Sequence, residues 1–305
     1  MSKRGSATKP ERNISSGAEK SESDLSVVFP MDRIDLLLVV SLVAVRLLEG
    51  LGRLLTEPQP PLWITNWYYA FTYLLTALFL YRQRRMLGAF NITRFALLLF
   101  LLAPVAAPLF LWAFHGPFSQ YPFRFSWEMV LDIPTIVISL VLGTIFLIKQ
   151  TDVHAGPEHG FQLLVAFIIG IAASCLLGFL YASIQPPNPL TPRFSLTPGI
   201  AITMFVIQVA KAAAMEEPVF RGILWGYLNA RGWHWPANLF FQAFLFWISH
   251  MYQAISFPLN FWIGIPLVAL LLGLTAWRTR SIGASMLMHA AGNTTSWFYG
   301  LVSFG

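Results

Sequence analysis

The sequence predicts an all-α membrane protein, a polytopic bundle of about nine transmembrane helices. Of its 305 residues, 56% are hydrophobic and only 11% are charged, and the mean hydropathy is +0.62. A soluble domain carries about a quarter charged residues. The apolar residues also fall into runs of about 20, the length that crosses the hydrocarbon core of a bilayer. We therefore expect an integral, multi-pass protein embedded in the lipid bilayer.

The predicted helices divide the chain into three parts. Residues 1–30 are polar and mix both signs of charge, which is typical of a disordered cytoplasmic tail. Five helices form an N-terminal membrane region over 31–198, and four form a core over 199–305. Proline-rich stretches such as "PPNPLTPRFSLTP" separate several helices. The predicted spans are 33–55, 62–81, 89–114, 126–149, 161–185, 199–229, 236–256, 260–277 and 281–303.

The positions of the basic residues predict the orientation of the bundle. With the N-terminus in the cytoplasm, the opposite side of the membrane keeps only Arg53, Arg124 and Arg193 of the 20 lysines and arginines. This bias indicates an N-in, C-out topology. The net charge of +6 is thus a topology signal, and without a basic groove we expect no nucleic-acid partner. The short loops favour a bacterial inner (plasma) membrane.

The sixth predicted helix, 199–229, is longer than a bilayer requires. At ~1.5 Å per residue it would extend about 46 Å, against a core of ~30 Å. It must tilt, protrude, or break near Pro218 and Gly222. Its apolar continuation, "ILWGYLNA", places Glu216 about 20 Å from the cytoplasmic end. A charge at such depth costs about 2.5–3.5 kcal/mol on insertion scales, so it is usually paired or functional.

Three further polar residues are expected at comparable depth on two other helices. His250 lies about 21 Å from the start of its helix, and His289 and Asn293 lie about 12 and 18 Å along the last one. His289 and Asn293 are four residues apart and so share one helical face. A lone intramembrane histidine or asparagine is usually a hydrogen-bonding contact between helices. Together with Glu216, these residues make four polar groups at one depth in the membrane, which indicates a functional site.

The segments that carry these residues resemble a known family. "EEPVFR" (216–221), "FWISH" (246–250) and "HAAGN" (289–293) are similar, in order, to the EExxxR, FxxxH and HxxxN/B motifs of the CAAX-protease and bacteriocin-processing (CPBP or Abi) family. The resemblance covers about 199–305, and the upstream helices carry none of its motifs. It implies an intramembrane endopeptidase of the glutamate type, acting on a membrane-anchored protein or peptide.

The residues themselves suit peptide hydrolysis. The reaction needs an activated water, stabilisation of the developing oxyanion, and a proton for the leaving amine. A carboxylate in a low-dielectric site is a better base than a solvated one, so Glu216 is the candidate base. His250 would position the water or share its proton, and His289 and Asn293 would hold the carbonyl oxygen. The family resemblance implies the same catalytic roles.

Glu217 and Arg221 are the candidate supporting residues. Glu217 precedes Arg221 by four residues, the favourable order for a helical ion pair. We expect Arg221 to neutralise Glu217 and leave Glu216 free to react. The alternative is that Arg221 only marks the cytoplasmic boundary of the membrane.

Two more charge pairs are predicted away from the motifs. Arg46 and Glu49, three residues apart in the first helix, are expected to neutralise each other. Asp132 and Lys211 are expected at similar depth and form a second hypothetical pair, while the favoured interpretation is that Asp132 and Glu128 cap the outer end of their own helix at the interface.

Other chemistries and functions are weighed against this prediction. Glu216, His250 and His289 would supply three zinc ligands, but the HExxH helix of zincins is missing, so we expect no cofactor and keep a zinc-dependent protease as an alternative. A serine protease using Ser285 fits poorly, because His289 lies only one turn away on the same helix. A non-catalytic membrane scaffold that binds a partner remains open. A transporter should show repeat symmetry, which the sequence lacks.

Overall fold

A computed structural model describes residues 31–55, 62–113, 127–148, 160–184 and 197–298. The predicted tail, 1–30, lies outside the described residues. Within these ranges the chain is helical and contains no β-strand. We number the helices in chain order: α1 Arg33–Leu55, α2 Leu62–Arg82, α3 Arg94–Ala113, α4 Trp127–Ile148, α5 Gly160–Ile184, α6 Pro198–Ala230, α7 Trp235–Ser249, α8 Gln253–Ser256, α9 Asn260–Thr279 and α10 Ile282–Phe298.

The helices have the length and surface of a membrane bundle. In the described ranges, the segment Gly160–Leu180 of α5 and the whole of α6 and α9 are long and apolar enough to cross a membrane. A fourth crossing is counted if Arg84–Phe90 and Arg94–Ala106, bent by 106°, form one broken span. Large apolar side chains on α5 face outward, with Phe161 75% and Phe179 67% exposed, as suits contact with lipid. The all-α integral membrane bundle is confirmed; nine spans and the N-in orientation stay predictions.

The start of α1 is tied to the end of α2. A carboxylate oxygen of Asp32 accepts hydrogen bonds from the backbone amides of Ile34 and Asp35, both at 2.9 Å, which satisfies free donors of the first turn. The bond to the Asp35 amide is the main cause that holds the pKa of Asp32 below its usual value, and Arg82 adds to it. Arg82 pairs with Asp32 at 2.6 Å and with Asp35 at 2.9 Å.

The third helix begins later than predicted. The expected start at residue 89 is wrong, because Arg84–Phe90 forms a 3-10 helix and α3 begins at Arg94. Asn91 ends the 3-10 helix in the left-handed conformation, with φ 55°, and its carbonyl accepts a hydrogen bond from the amide of Ile282 at 3.1 Å. This contact with the start of α10, which hydropathy does not predict, holds the turn between the 3-10 helix and α3 in place.

The seventh helix ends earlier than predicted, and its end positions His250. α7 stops at Ser249 and does not continue to 256. The Ser249 hydroxyl donates to the Phe246 carbonyl at 2.7 Å, and Nδ1 of His250 donates to the same carbonyl at 2.8 Å. These side chains occupy an acceptor of the last turn and so compete with continued helix. A turn follows before the short α8.

The long helix α6 does not break at its proline. Two π-helical segments, Val209–Ala213 and Pro218–Leu224, flank the four residues Ala214–Glu217. Proline has no amide hydrogen for the regular helical bond, and the wider π turn accommodates it without ending the helix. Single π turns inside α-helices often occur at functional sites. They turn the acidic pair Glu216 and Glu217 toward the interior of the bundle.

Two glycines allow helices from the N-terminal region to approach the core closely. A Cβ on Gly50 of α1 would lie 2.3 Å from the Ser249 carbonyl oxygen, beside His250. A Cβ on Gly170 of α5 would lie 2.4 Å from the Met288 carbonyl oxygen, beside His289. The helices α1 and α5 therefore pack directly on the segments that carry both histidines.

Candidate active site

The four predicted catalytic residues line one cavity. Glu216 comes from α6, His250 from the end of α7, and His289 and Asn293 from α10. The cavity has a volume of about 130 Å³, which is room for several water molecules. The structure thus brings together side chains from three helices that are far apart in the sequence.

Glu216 has one oxygen engaged and one oxygen free. The residue is 7% exposed. Its Oε1 accepts a hydrogen bond from the Arg46 guanidinium. Its Oε2 lies 3.9 Å from Nε2 of His250 and 3.9 Å from Nε2 of His289, and it has no hydrogen-bond partner among the described residues. The free oxygen and the two imidazole nitrogens face a common point.

The hydrogen bonds at Nδ1 orient both imidazoles. Nδ1 of His250 lies 2.8 Å from the Phe246 carbonyl oxygen, which only accepts, so this nitrogen carries the proton. Nδ1 of His289 lies 2.8 Å from Oε1 of Glu217 and donates to that carboxylate. In the neutral form of each ring, Nε2 therefore presents a lone pair toward Glu216. Each can accept a proton or a hydrogen bond from a water placed there.

Glu217 is fully engaged within the protein. It is 0% exposed and its Oε1 lies 3.2 Å from Nη1 of Arg221. Its Oε2 accepts a hydrogen bond from the Ser285 hydroxyl. Arg221 is also completely buried and donates to the Ala269 carbonyl at 3.1 Å. The predicted pair of Glu217 and Arg221 is thus present and buried inside the bundle.

Asn293 lies one turn beyond His289 and lines the same cavity. Its side-chain nitrogen donates to Oε1 of Gln208 at 3.0 Å. An amide nitrogen carries two hydrogens, so the second remains available to a ligand in the cavity. Asn293 is therefore a hydrogen-bond donor at the edge of the constellation, held in place by α6.

The metal alternative has limited support from the arrangement of donors. Across the described ranges, no group of three or more histidine, cysteine, aspartate or glutamate side chains is arranged to hold a metal ion. Zinc ligands lie about 2.0–2.2 Å from the metal. Oε2 of Glu216 lies 3.9 Å from Nε2 of His250 and 3.9 Å from Nε2 of His289, and the zinc alternative is tested by chelation below.

Comparison with known proteins identifies the region that contains these residues. Residues 198–295 match the family model described as type II CAAX prenyl endopeptidase Rce1-like. This region of the chain is therefore similar to the CAAX prenyl endopeptidases that the model describes. The resemblance drawn from three short motifs is thereby confirmed, over nearly the predicted extent. No curated protein matches the chain, and no solved structure matches it.

The sequence analysis did not predict a contribution from outside the region that matches the family model. Arg46 of α1 was expected only to pair with Glu49, and that pair is present at 3.2 Å. The same guanidinium also binds Glu216, and Arg46 is 3% exposed. Glu49 pairs with Arg53 at 2.8 Å. An N-terminal helix thus supplies the counter-charge of the candidate catalytic carboxylate.

A signal for this contact is present in the sequence. Arg46, Glu49 and Arg53 are spaced by three and four residues, so they share one face of α1. Two cations and one anion leave that face with an unbalanced positive charge at membrane depth. Such a charge requires an anion on another helix, and Glu216 is that anion.

The second predicted charge pair is only half described. The side chain of Asp132 lies outside the described residues, so its pairing with Lys211 stays a prediction. Lys211 itself lines the cavity that contains Glu216.

Proposed function

We propose that the chain is an intramembrane endopeptidase that hydrolyses a peptide bond with a water activated by Glu216. The observation that carries the proposal is the state of the carboxylates. Within the described ranges, Oε2 of Glu216 is the one buried carboxylate oxygen without a hydrogen-bond partner. It faces two imidazole nitrogens at 3.9 Å, whereas both oxygens of Glu217 are engaged. Glu216 is therefore the base, and Glu217 is a positioning residue.

The reaction follows from these positions. A water held between Oε2 of Glu216 and Nε2 of His250 gives a proton to the carboxylate as its oxygen bonds to the substrate carbonyl carbon. The second hydrogen of the Asn293 amide donates to the resulting oxyanion. The proton then passes to the peptide nitrogen, the carbon–nitrogen bond breaks, and an amine and a carboxylic acid leave.

His289 takes part through its protonation state. As a neutral ring bonded to Glu217 through Nδ1, it offers only a lone pair at Nε2 and cannot stabilise an oxyanion. When the imidazole is already protonated before the water attacks, Nε2 is a donor, and the Glu217 carboxylate stabilises the imidazolium. This proton is separate from the one that Glu216 passes to the peptide nitrogen. A buried carboxylate behind a catalytic histidine has this role in other hydrolases. The predicted role of His289 at the carbonyl oxygen thus belongs to its charged form.

Arg46 sets the charge of the base. Low dielectric alone would favour a neutral Glu216, but the adjacent guanidinium favours the ionised carboxylate that can accept a proton. Because Arg46 binds only Oε1, Oε2 remains available to water. Arg46 is thus a positioning residue that keeps the base charged and oriented.

The substrate class is proposed from the family. A model for CAAX prenyl endopeptidases matches the catalytic region, so we propose a prenylated CAAX tail in the same membrane as the first substrate to test. Leader peptides and C-terminal sorting tails are the alternatives, and a bacterial inner membrane is the proposed location.

The test compares single amide replacements in proteoliposomes supplied with a farnesylated CAAX peptide. Glu216→Gln keeps the size of the side chain but removes the base, so cleavage should be lost while thermal unfolding still shows a folded protein. Asp32→Asn removes a carboxylate at the surface end of α1, where asparagine also caps helices well, and should retain cleavage. If Glu216→Gln lowers the thermal stability of the protein, the double variant Arg46→Gln/Glu216→Gln restores the charge balance. The double variant must still be inactive in the cleavage assay.

Two results would contradict the mechanism. Unimpaired processing by Glu216→Gln would leave the buried polar cluster with a structural role, as in a scaffold. Loss of cleavage on treatment with 1,10-phenanthroline, restored by zinc, would instead support the metal-dependent alternative.

A further inference from the structure

Lys211 lies near the middle of α6, where a lysine is unusual. At ~1.5 Å per residue it is about 20 Å from one end of the helix and about 28 Å from the other. Lysines close to helix ends extend their ammonium groups to the membrane surface, but this position is too deep for that. Lys211 instead lines the cavity that contains Glu216.

The charges that the structure describes around the cavity pair with one another and not with Lys211. Arg46 and Arg53 share Glu49, at 3.2 and 2.8 Å, and Arg46 also binds Glu216. These two cations and two anions balance. No described residue forms an ion pair or hydrogen bond with the side chain of Lys211, so the described residues around the cavity carry one positive charge in excess. Lys211 is half-buried on the wall of this cavity, and an anion that enters the cavity would neutralise its charge.

A second donor stands next to the ammonium. Gln208 lies three residues before Lys211, lines the same cavity, and uses Oε1 to accept the hydrogen bond from Asn293. Its amide nitrogen has no partner among the described residues. Lys211 belongs to the π-helical segment Val209–Ala213, where hydrogen bonds join residues five apart. This segment helps to place Lys211 and Glu216 on the same cavity although they are five residues apart.

We propose that Lys211 and Gln208 form an anion-binding subsite that holds the C-terminal carboxylate of the substrate. The inference rests on the proposed peptidase function and assigns two residues that position its substrate. Lys211 lies about 7–8 Å along α6 from Glu216, and both residues line the same cavity. A carboxylate held by Lys211 would therefore lie in the cavity that contains the candidate base.

The experiment compares two peptides that differ only at the C-terminus. One fluorescein-labelled, farnesylated CAAX peptide ends in a free carboxylate and the other in a carboxamide. Affinity by fluorescence anisotropy and kcat/KM for cleavage are both measured in phosphatidylcholine proteoliposomes. The wild type should favour the carboxylate about 10- to 100-fold, the usual range for hydrogen bonds to a charged group. In Lys211→Gln the ratio should fall to about 1, and Lys211→Arg should restore most of it.

Arg231→Gln is the matched control, because it removes one positive charge from an exposed loop and should leave the ratio as in the wild type.

Equal binding and cleavage of both peptides by the wild type would overturn the subsite and leave the peptidase function standing. A preference that survives in Lys211→Gln would overturn it as well. So would a requirement for phosphatidylglycerol vesicles without any effect of the peptide terminus, because the anion would then be a lipid phosphate. Carboxylate-selective binding that needs Lys211, without any cleavage, would support the subsite and contradict the proposed peptidase.

Discussion

The close contact at Gly50 makes a single methyl group a test of the active-site geometry. In Gly50→Ala the new Cβ would lie 2.3 Å from the Ser249 carbonyl oxygen, a backbone atom that cannot turn aside. Ordinary van der Waals contact requires α1 and the end of α7 to separate by about 1 Å. Arg46 is one turn away on the same face of α1, and His250 follows Ser249 in the chain. The displacement therefore acts directly on the partners of Glu216.

The expected losses in activity and stability differ in size. Misplacing catalytic groups by about 1 Å can lower activity about 100-fold, so we expect that loss in kcat/KM for a farnesylated peptide. Overpacking costs about 1–3 kcal/mol, while replacing glycine by alanine in a helix returns about 0.8–1 kcal/mol. The net loss in the free energy of unfolding should thus be at most about 2 kcal/mol, and the protein should remain folded.

Gly52→Ala is the control, since it lies on the same helix and nothing lies within 4 Å of its added Cβ. It should keep full cleavage and unfold at the same or a slightly higher temperature. Cleavage by Gly50→Ala at the rate of Gly52→Ala would show that the approach of α1 does not position the catalytic groups.

Three further substitutions test the charges and hydrogen bonds around the two glutamates. Arg46→Gln leaves Glu216 buried without its counter-charge, which costs about 3–5 kcal/mol for a buried pair; we expect lower thermal stability and reduced cleavage, and normal values of both would contradict the assigned contact. Arg221→Gln should have a similar effect through Glu217, and undiminished cleavage would remove Arg221 from the supporting set. Ser285→Ala should lower the free energy of unfolding less, because it removes one hydrogen bond to a charged group, which contributes about 1.5–3 kcal/mol. If a stably folded Ser285→Ala were completely inactive in the cleavage assay, Ser285 would instead be a catalytic serine.

Much of the bundle was predictable because a membrane helix is specified by its own composition. The bounds of α1 agree with the prediction at both ends, and those of α6 differ by one residue at each end. The depths of Glu216 and His250 followed from helical rise alone, and the structure places both on one cavity. In these helices a local property, the length of the apolar run, is enough to predict where the helix begins and ends.

The partners of polar side chains were less predictable because they depend on which helices meet. Helical spacing paired Arg46 with Glu49 but could not show that the same guanidinium reaches Glu216. It also placed Ser285 near His289 without showing that the hydroxyl donates to Glu217. The early end of α7 was unpredictable for a similar reason, because it depends on hydrogen bonds from the side chains of Ser249 and His250 to the Phe246 carbonyl.

The salt bridge from α1 has a practical meaning for any attempt to shorten this protein. A fragment trimmed to the family-matched segment would keep every motif residue but would lose Arg46, the cation that binds Glu216. An expression fragment that is meant to retain this ion pair therefore has to include the first helix.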